Sequence, residues 1–137
     1  MTVNKEGKIY LLTALLRVGA ENTGNVDNWA AGGLAIGINE NRYLKEYGFY
    51  KPIYGTKIDT HPDTKIKFSE FQAPEYREAV ELACRAHRTL YRIRAIGWDM
   101  AISDNGPVFI EGNDNWEISL NQACDRSLRK DWEEVIS

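Results

Sequence analysis

The chain has 137 residues, with 43% apolar side chains, 27% charged ones and a formal net charge of −3. That length supports one hydrophobic core, and a net negative charge shows no nucleic-acid footprint. Two cysteines, Cys84 and Cys124, match no CxxC metal or redox spacing, and no apolar run approaches the roughly 20 residues of a membrane span. A cytoplasmic protein is expected, in a reducing compartment, without a membrane span or a nucleic-acid partner. The arginines between positions 85 and 94 fall inside a helical pattern and read as a solvated face.

In chain order, segment 8–18 is apolar on both faces and reads as one central strand. Arg17 ends the face that carries Ile9, Leu11, Thr13 and Leu15. Segment 21–33 is rich in Gly and Asn and reads as a loop. Segment 33–38 is a strand with Leu34, Ile36 and Ile38 on one face, Asn39-Glu40-Asn41 is a turn, and 42–49 and 53–57 are weaker strands. Segment 60–72 is irregular. Pro74 is expected at the first helical position, where its missing N–H costs nothing. Tyr76, Val80, Ala83, His87, Leu90 and Tyr91 then recur near helical spacing, predicting a helix to about Arg94 with His87 packed inward. Two strands, 96–103 and 107–112, are followed by a helix over 117–128 and a tail with helical character. Four strands, helix, hairpin, helix is the order of an α+β fold, a mainly antiparallel sheet with helices packed on one face. No repeat or linker divides the chain, so 1–137 reads as one domain.

The segment 96–113, IGWDMAISDNGPVFIEGN, is the most informative. A two-residue loop at Asn105-Gly106 would set Met100 against Glu111 and mix apolar and charged groups on both faces. A three-residue loop, Asp104-Asn105-Gly106, with Gly106 in a left-handed conformation, sets Trp98 across from Gly112, Met100 across from Ile110 and Ile102 across from Val108. One face is then wholly apolar, and a one-residue slip would destroy it, so the pattern selects this register. On the other face Asp99 lies across from Glu111, and Asn113 across from Gly97. Like charges so placed repel, with Cβ atoms about 5 Å apart. A hard divalent cation with oxygen ligands removes that repulsion; solvent screening is the alternative. Aligning Gly106 with the invariant glycine of a calcium hand puts Ala101 and Gly112 at ligand positions, which excludes that motif, and no Walker-type phosphate loop is present.

Gly97-Trp98-Asp99, then Gly106-Pro107 and Glu111-Gly112-Asn113, resembles the metal-binding hairpin of ATP-grasp enzymes, and most closely that of the sugar-transfer-associated group. Arg17-Val18-Gly19-Ala20, Asn25-Val26-Asp27-Asn28 with Gly32-Gly33, and His61-Pro62-Asp63-Thr64 are similar to the same group. The resemblance runs from Leu16 to about Gln122.

The resemblance implies an ATP- and Mg2+-dependent carboxylate ligase linked to polysaccharide or cell-surface sugar biosynthesis. In such enzymes ATP phosphorylates a carboxylate, and an amine or other nucleophile attacks the acyl phosphate. Asp99 would bind one magnesium ion, Glu111 would bridge two and Asn113 would bind the second. Arg17 becomes the catalytic candidate, a bidentate cation for an anionic substrate or the acyl phosphate. Asn25, Asn28, Gly32, Gly33 and His61 are substrate-binding candidates, with Asx-turns as the other reading of the asparagines and a structural His-Pro loop as that of His61. Trp29 and Trp116 are either pocket walls or packing.

The resemblance covers the C-terminal, metal-binding half of an ATP-grasp fold. The preceding half, which brings the adenine pocket, the phosphate-binding lysines and a lid, is not recognised here. The expected partners are ATP, a small carboxylate or sugar-linked substrate, and that missing half or a partner chain; a homo-oligomer is possible. As an isolated chain the protein is expected to turn over little ATP. The alternative reading is a non-enzymatic remnant of the fold, acting as a metal- or ligand-binding or interaction module. Asp114-Asn115-Trp116-Glu117 stands where many such ligases carry a Pro-Gly turn that helps hold substrate.

Overall fold

A computed structural model describes residues 1–20, 29, 32–51, 56–124 and 127–136. The fold is α+β, with two antiparallel four-stranded sheets and three α-helices. The strands are β1 (Thr2–Lys5), β2 (Lys8–Leu11), β3 (Leu15–Val18), β4 (Leu34–Ile38), β5 (Leu44–Phe49), β6 (Lys57–Ile58), β7 (Ala95–Ser103) and β8 (Gly106–Asn113). The helices are α1 (Tyr76–Thr89), α2 (Ile118–Cys124) and α3 (Arg129–Ile136). The chain divides into two compact units, one of Met1–Ala14, Pro74–Ile118 and Ser127–Ser137, the other of Leu15–Ala73 and Ser119–Arg126.

The first unit holds a sheet ordered β2-β1-β7-β8. Strands β1 and β2 form a hairpin whose two turn residues, Glu6 at φ 53° and Gly7 at φ 83°, both adopt positive φ. That is the primed turn whose twist matches two antiparallel strands. Asn4 closes it by accepting the Gly7 N–H at 2.9 Å. The single strand expected over 8–18 is therefore two strands in two different sheets, with a break at 12–14. Both halves are apolar enough for either sheet, and alternation along one segment carries no mark of where its partners change.

Helix α1 lies against all four strands of this sheet. It starts at Tyr76, with Glu75 as the N-cap at φ 50°, so Pro74 stands before the cap and not at the first helical position. It ends at Thr89, short of Arg94. Ala83 and His87 face the sheet and are buried, as their spacing implied. Leu90 follows as the C-cap, and its N–H bonds back to the His87 carbonyl.

The second unit holds the sheet β3-β4-β5-β6. Its central strand β4 is buried on both faces: Leu34, Ala35 and Ile36 are inaccessible to solvent. Phe68, in the 3-10 turn Phe68–Glu70, packs over Gly48, where an added Cβ would stand 2.8 Å from its ring and 2.9 Å from the Ile36 side chain. On the other face Ala35 packs with Trp29 and Cys124, flanked by Leu15, Phe49 and Leu120. Helix α2 approaches this face so closely that a Cβ on Gly37 would meet the Cys124 carbonyl oxygen at 2.4 Å. The segment 60–72 holds only isolated bridges beyond that 3-10 turn, in line with its irregular sequence. Among the described residues no helix is long and apolar enough to cross a membrane.

Candidate functional site

The β7–β8 hairpin carries the expected acidic pair. Gly97 pairs with Asn113, Trp98 with Gly112 and Asp99 with Glu111. Alternation then sets Gly97, Asp99, Glu111 and Asn113 on one face of the sheet and Trp98 and Gly112 on the other. Asn113 Nδ2 donates to Glu111 Oε1 at 3.0 Å. That bond uses the Asn113 amide nitrogen and leaves the amide oxygen, an acceptor, as its candidate metal ligand. Asp99 is half-buried, while Glu111 and Asn113 are exposed.

Beyond Asp99 the register departs from expectation. Met100 pairs with Phe109, Ala101 with Val108, Ile102 with Pro107 and Ser103 with Gly106. Ile110 is the extra residue, a bulge in β8, and it is 67% exposed. The turn between the last paired residues is Asp104-Asn105, with Gly106 at φ 103°. The expected pairings Met100–Ile110 and Ile102–Val108 are thus overturned, while those of Gly97, Trp98 and Asp99 hold. The bulge lets Phe109, in place of Ile110, join Met100 on the apolar face, where its ring lies 4.9 Å from that of Trp98. An aromatic pair is the stronger contact, and a bulge is the local distortion that supplies it.

The two tryptophans near the hairpin pack on opposite faces. Trp98 covers Gly112: an added Cβ there would stand 2.7 Å from the indole. Trp116 covers Gly97, 2.7 Å from a Cβ at that position, and meets Trp132 of α3 edge-on at 5.7 Å. Trp116 and Trp132 therefore wall one end of the face that bears Asp99, Glu111 and Asn113. No signal in the spacing distinguished Trp116 from ordinary packing. On the Trp98 face, Leu90, Ile93, Ile96, Trp98, Gly112 and Asp114 line a shallow cleft of about 130 Å3. Ligand pockets for drug-sized molecules run from about 300 Å3 upward, so this cleft is too small for a nucleotide.

In the second unit several further candidates lie at one end of the sheet. Arg17 pairs with Ala35 and is half-buried on the Trp29–Cys124 face. Val18 pairs with Leu34, which brings Gly19 beside Gly33 just past the paired ends. Gly32 adopts φ 100°, a conformation that a side chain would strain, and Gly33 is buried. His61 Nε2 lies 2.8 Å from the Gly19 carbonyl oxygen, and its Nδ1 lies 3.3 Å from both the Asp63 and the Thr64 amide nitrogens. A carbonyl only accepts, so the ring proton is on Nε2, and Nδ1 accepts from the amides. Nε2 thus ties the His-Pro loop to the residue just past β3, and Nδ1 braces the loop itself. Trp29 donates its indole N–H to the Phe49 carbonyl at 2.9 Å. Asn25 and Asn28 lie outside the described residues.

Among the described residues no three His, Cys, Asp or Glu side chains gather into a metal cage. The hairpin offers a different donor set, two carboxylates and an amide oxygen on one face. These are hard oxygen ligands of the kind magnesium takes, and too few to enclose it, which suits an ion that keeps waters or phosphate oxygens as its remaining ligands.

The sugar-transfer associated ATP-grasp profile matches residues 1–136. The chain belongs to that family. The match spans both units and includes β1 and β2, which the motif resemblance did not reach. Neither the curated proteins nor the solved structures contain a match to the chain. ATP-grasp proteins in general use ATP and Mg2+, and the oxygen donors of the β7–β8 face are compatible with that chemistry.

Proposed function

We propose that this ATP-grasp chain contributes the metal-holding part of a carboxylate ligase, linked to polysaccharide or cell-surface sugar biosynthesis. Asp99, Glu111 and Asn113 hold the magnesium that accompanies ATP. The observation that carries the reading is the direct pairing of Asp99 with Glu111, with Asn113 on the same face. Two carboxylates across one rung present hard anionic oxygens side by side, the ligand type that a divalent cation takes. When bound, magnesium neutralises charge on the phosphates and aligns them for transfer.

Arg17 grips an anionic substrate or the acyl phosphate, and Gly32 and Gly33 let the backbone approach it. Asn25 and Asn28 are further substrate-binding candidates by resemblance. His61 holds the strand end that follows Arg17, through its bond to Gly19. The adenine pocket and phosphate-binding lysines come from a companion half, in a longer parent or a second chain.

The test is a titration of the chain with Mn2+, with and without ATP, read by paramagnetic broadening of backbone resonances. Broadening centred on Asp99, Glu111 and Asn113 without ATP supports the reading, and ATP should lower the Mn2+ required only when the companion half is also present. Broadening elsewhere, or none, overturns it.

A further inference from the structure

A hydrogen-bonded chain, buried at His87 and Thr2, runs behind the hairpin, on the face away from Asp99 and Glu111. His87 and Thr2 are both inaccessible to solvent. His87 Nε2 lies 2.9 Å from the Ile93 carbonyl oxygen, and Nδ1 lies 2.8 Å from Thr2 Oγ1. Trp98 donates its indole N–H to the same Thr2 oxygen at 2.8 Å. The directions follow from donor and acceptor capacity. The Ile93 carbonyl can only accept, which puts the imidazole proton on Nε2 and leaves Nδ1 an acceptor. The Thr2 hydroxyl therefore donates to His87, and its oxygen is free to accept from Trp98. Among the described residues no buried side-chain polar atom lacks a partner, so the chain is fully satisfied.

Three elements meet in it: His87 from α1, Thr2 from β1 and Trp98 from β7. Its end point is the indole that covers Gly112, the residue between Glu111 and Asn113. Trp98 itself precedes Asp99. The indole thus sits behind the acidic rung, and its rotation is set by the proton it donates to Thr2.

We propose that His87 is a positioning residue: through Thr2 it holds the Trp98 indole over Gly112 and so keeps the Asp99–Glu111 rung in register. The consequence for metal rests on the function proposed above; the positioning of the indole does not.

Two pairs of variants separate this role from general packing. Asn at 87 places its amide oxygen where Nδ1 stands and keeps the arm to Thr2. Gln at 87 places its amide nitrogen where Nε2 stands and keeps only the arm to Ile93. Thr2→Ser keeps the hydroxyl, and Thr2→Val removes it with little change in shape. The readout is hydrogen exchange of the Trp98 indole N–H in the 137-residue chain, alongside the Mn2+ concentration that broadens Asp99 and Glu111. Thr2→Ser and His87→Asn should leave both near wild type. Thr2→Val and His87→Gln should speed indole exchange by about 10-fold or more through local opening, and should weaken Mn2+ by several-fold.

Equal effects in all four variants, or none in any, would overturn the proposal. The ring nitrogens of wild-type His87 give a check that needs no variant: an Nδ1-protonated ring would overturn it too, should a variant fail to fold. If indole exchange follows the expected pattern but Mn2+ never broadens the wild-type rung, the metal reading falls and the positioning role stands.

Discussion

Asp99 and Glu111 face each other directly across the β7–β8 ladder, one residue before a bulge at Ile110 changes the register. Glu111→Gln keeps the shape of that rung and removes one charge. The fold should be unaffected or slightly firmer, because a like-charge pair is relieved. Mn2+ affinity at the hairpin should fall by about 10-fold or more, as one of two anionic ligands is lost. Thermal unfolding together with the Mn2+ titration checks both parts, and an unchanged Mn2+ midpoint would separate Glu111 from the metal.

The indole of Trp98 leaves no room at Gly112. Gly112→Ala puts a methyl group 2.7 Å from that ring, which Thr2 and Phe109 hold from two other sides. Overpacking of this kind costs about 1–3 kcal/mol. Gly106→Ala makes a useful contrast: no atom lies within 4 Å of its Cβ, so its cost is the strain of φ 103° alone, again about 1–3 kcal/mol. Denaturant melts should show both losses, but only Gly112→Ala should shift the Trp98 indole resonance. A large shift in Gly106→Ala would contradict the packing described here.

The chain's α-amino group gives a pH dependence with a definite sign. The Met1 ammonium is buried and donates to the Thr13 carbonyl at 2.7 Å. Burial lowers its pKa from 8.0 to about 6, against the opposing pull of Cys84 and Asp99. Between those values the unfolded chain binds more protons than the folded one, so stability should rise with pH from about 6 to about 8. The upper limit of that gain is on the order of 2.7 kcal/mol, from about two pKa units at 1.36 kcal/mol each. Urea melts of the 137-residue chain with Met1 retained, taken across this window, test it; a stability that falls with rising pH would refute the assignment.

Arg17→Lys tests the proposed substrate contact. Lysine keeps the charge and loses the planar fork that binds a carboxylate or phosphate through two parallel hydrogen bonds. In the complete ligase, catalytic efficiency should drop on the order of 10- to 100-fold, about 1.4–2.7 kcal/mol in transition-state stabilisation. The strand should persist, since Arg17 sits at the end of β3 across from Ala35. A wild-type efficiency would return Arg17 to an ordinary strand-end role.

The sequence by itself determined the α+β class, the inward face of α1 with His87 on it, and the rung that joins Asp99 to Glu111. The first two are readable because alternation and helical spacing are local; the rung falls where a three-residue loop would put it, but in the structure a two-residue turn and the one-residue bulge at Ile110 together give that offset. Tertiary structure alone decided the rest. Residues 8–18 divide between two sheets because β2 finds β1 and β3 finds β4, and neither choice leaves a mark in the apolar pattern. The bulge at Ile110 exists because Phe109 gains the Trp98 ring, a contact made across the ladder that counting residues along one strand cannot reveal. The sequence set His87 inward and left His61 between a substrate contact and a structural loop, and it named a partner for neither. Their bonds to Gly19, 42 positions away, and to Thr2, 85 positions away, became definite only when folding brought those backbone and hydroxyl oxygens within reach.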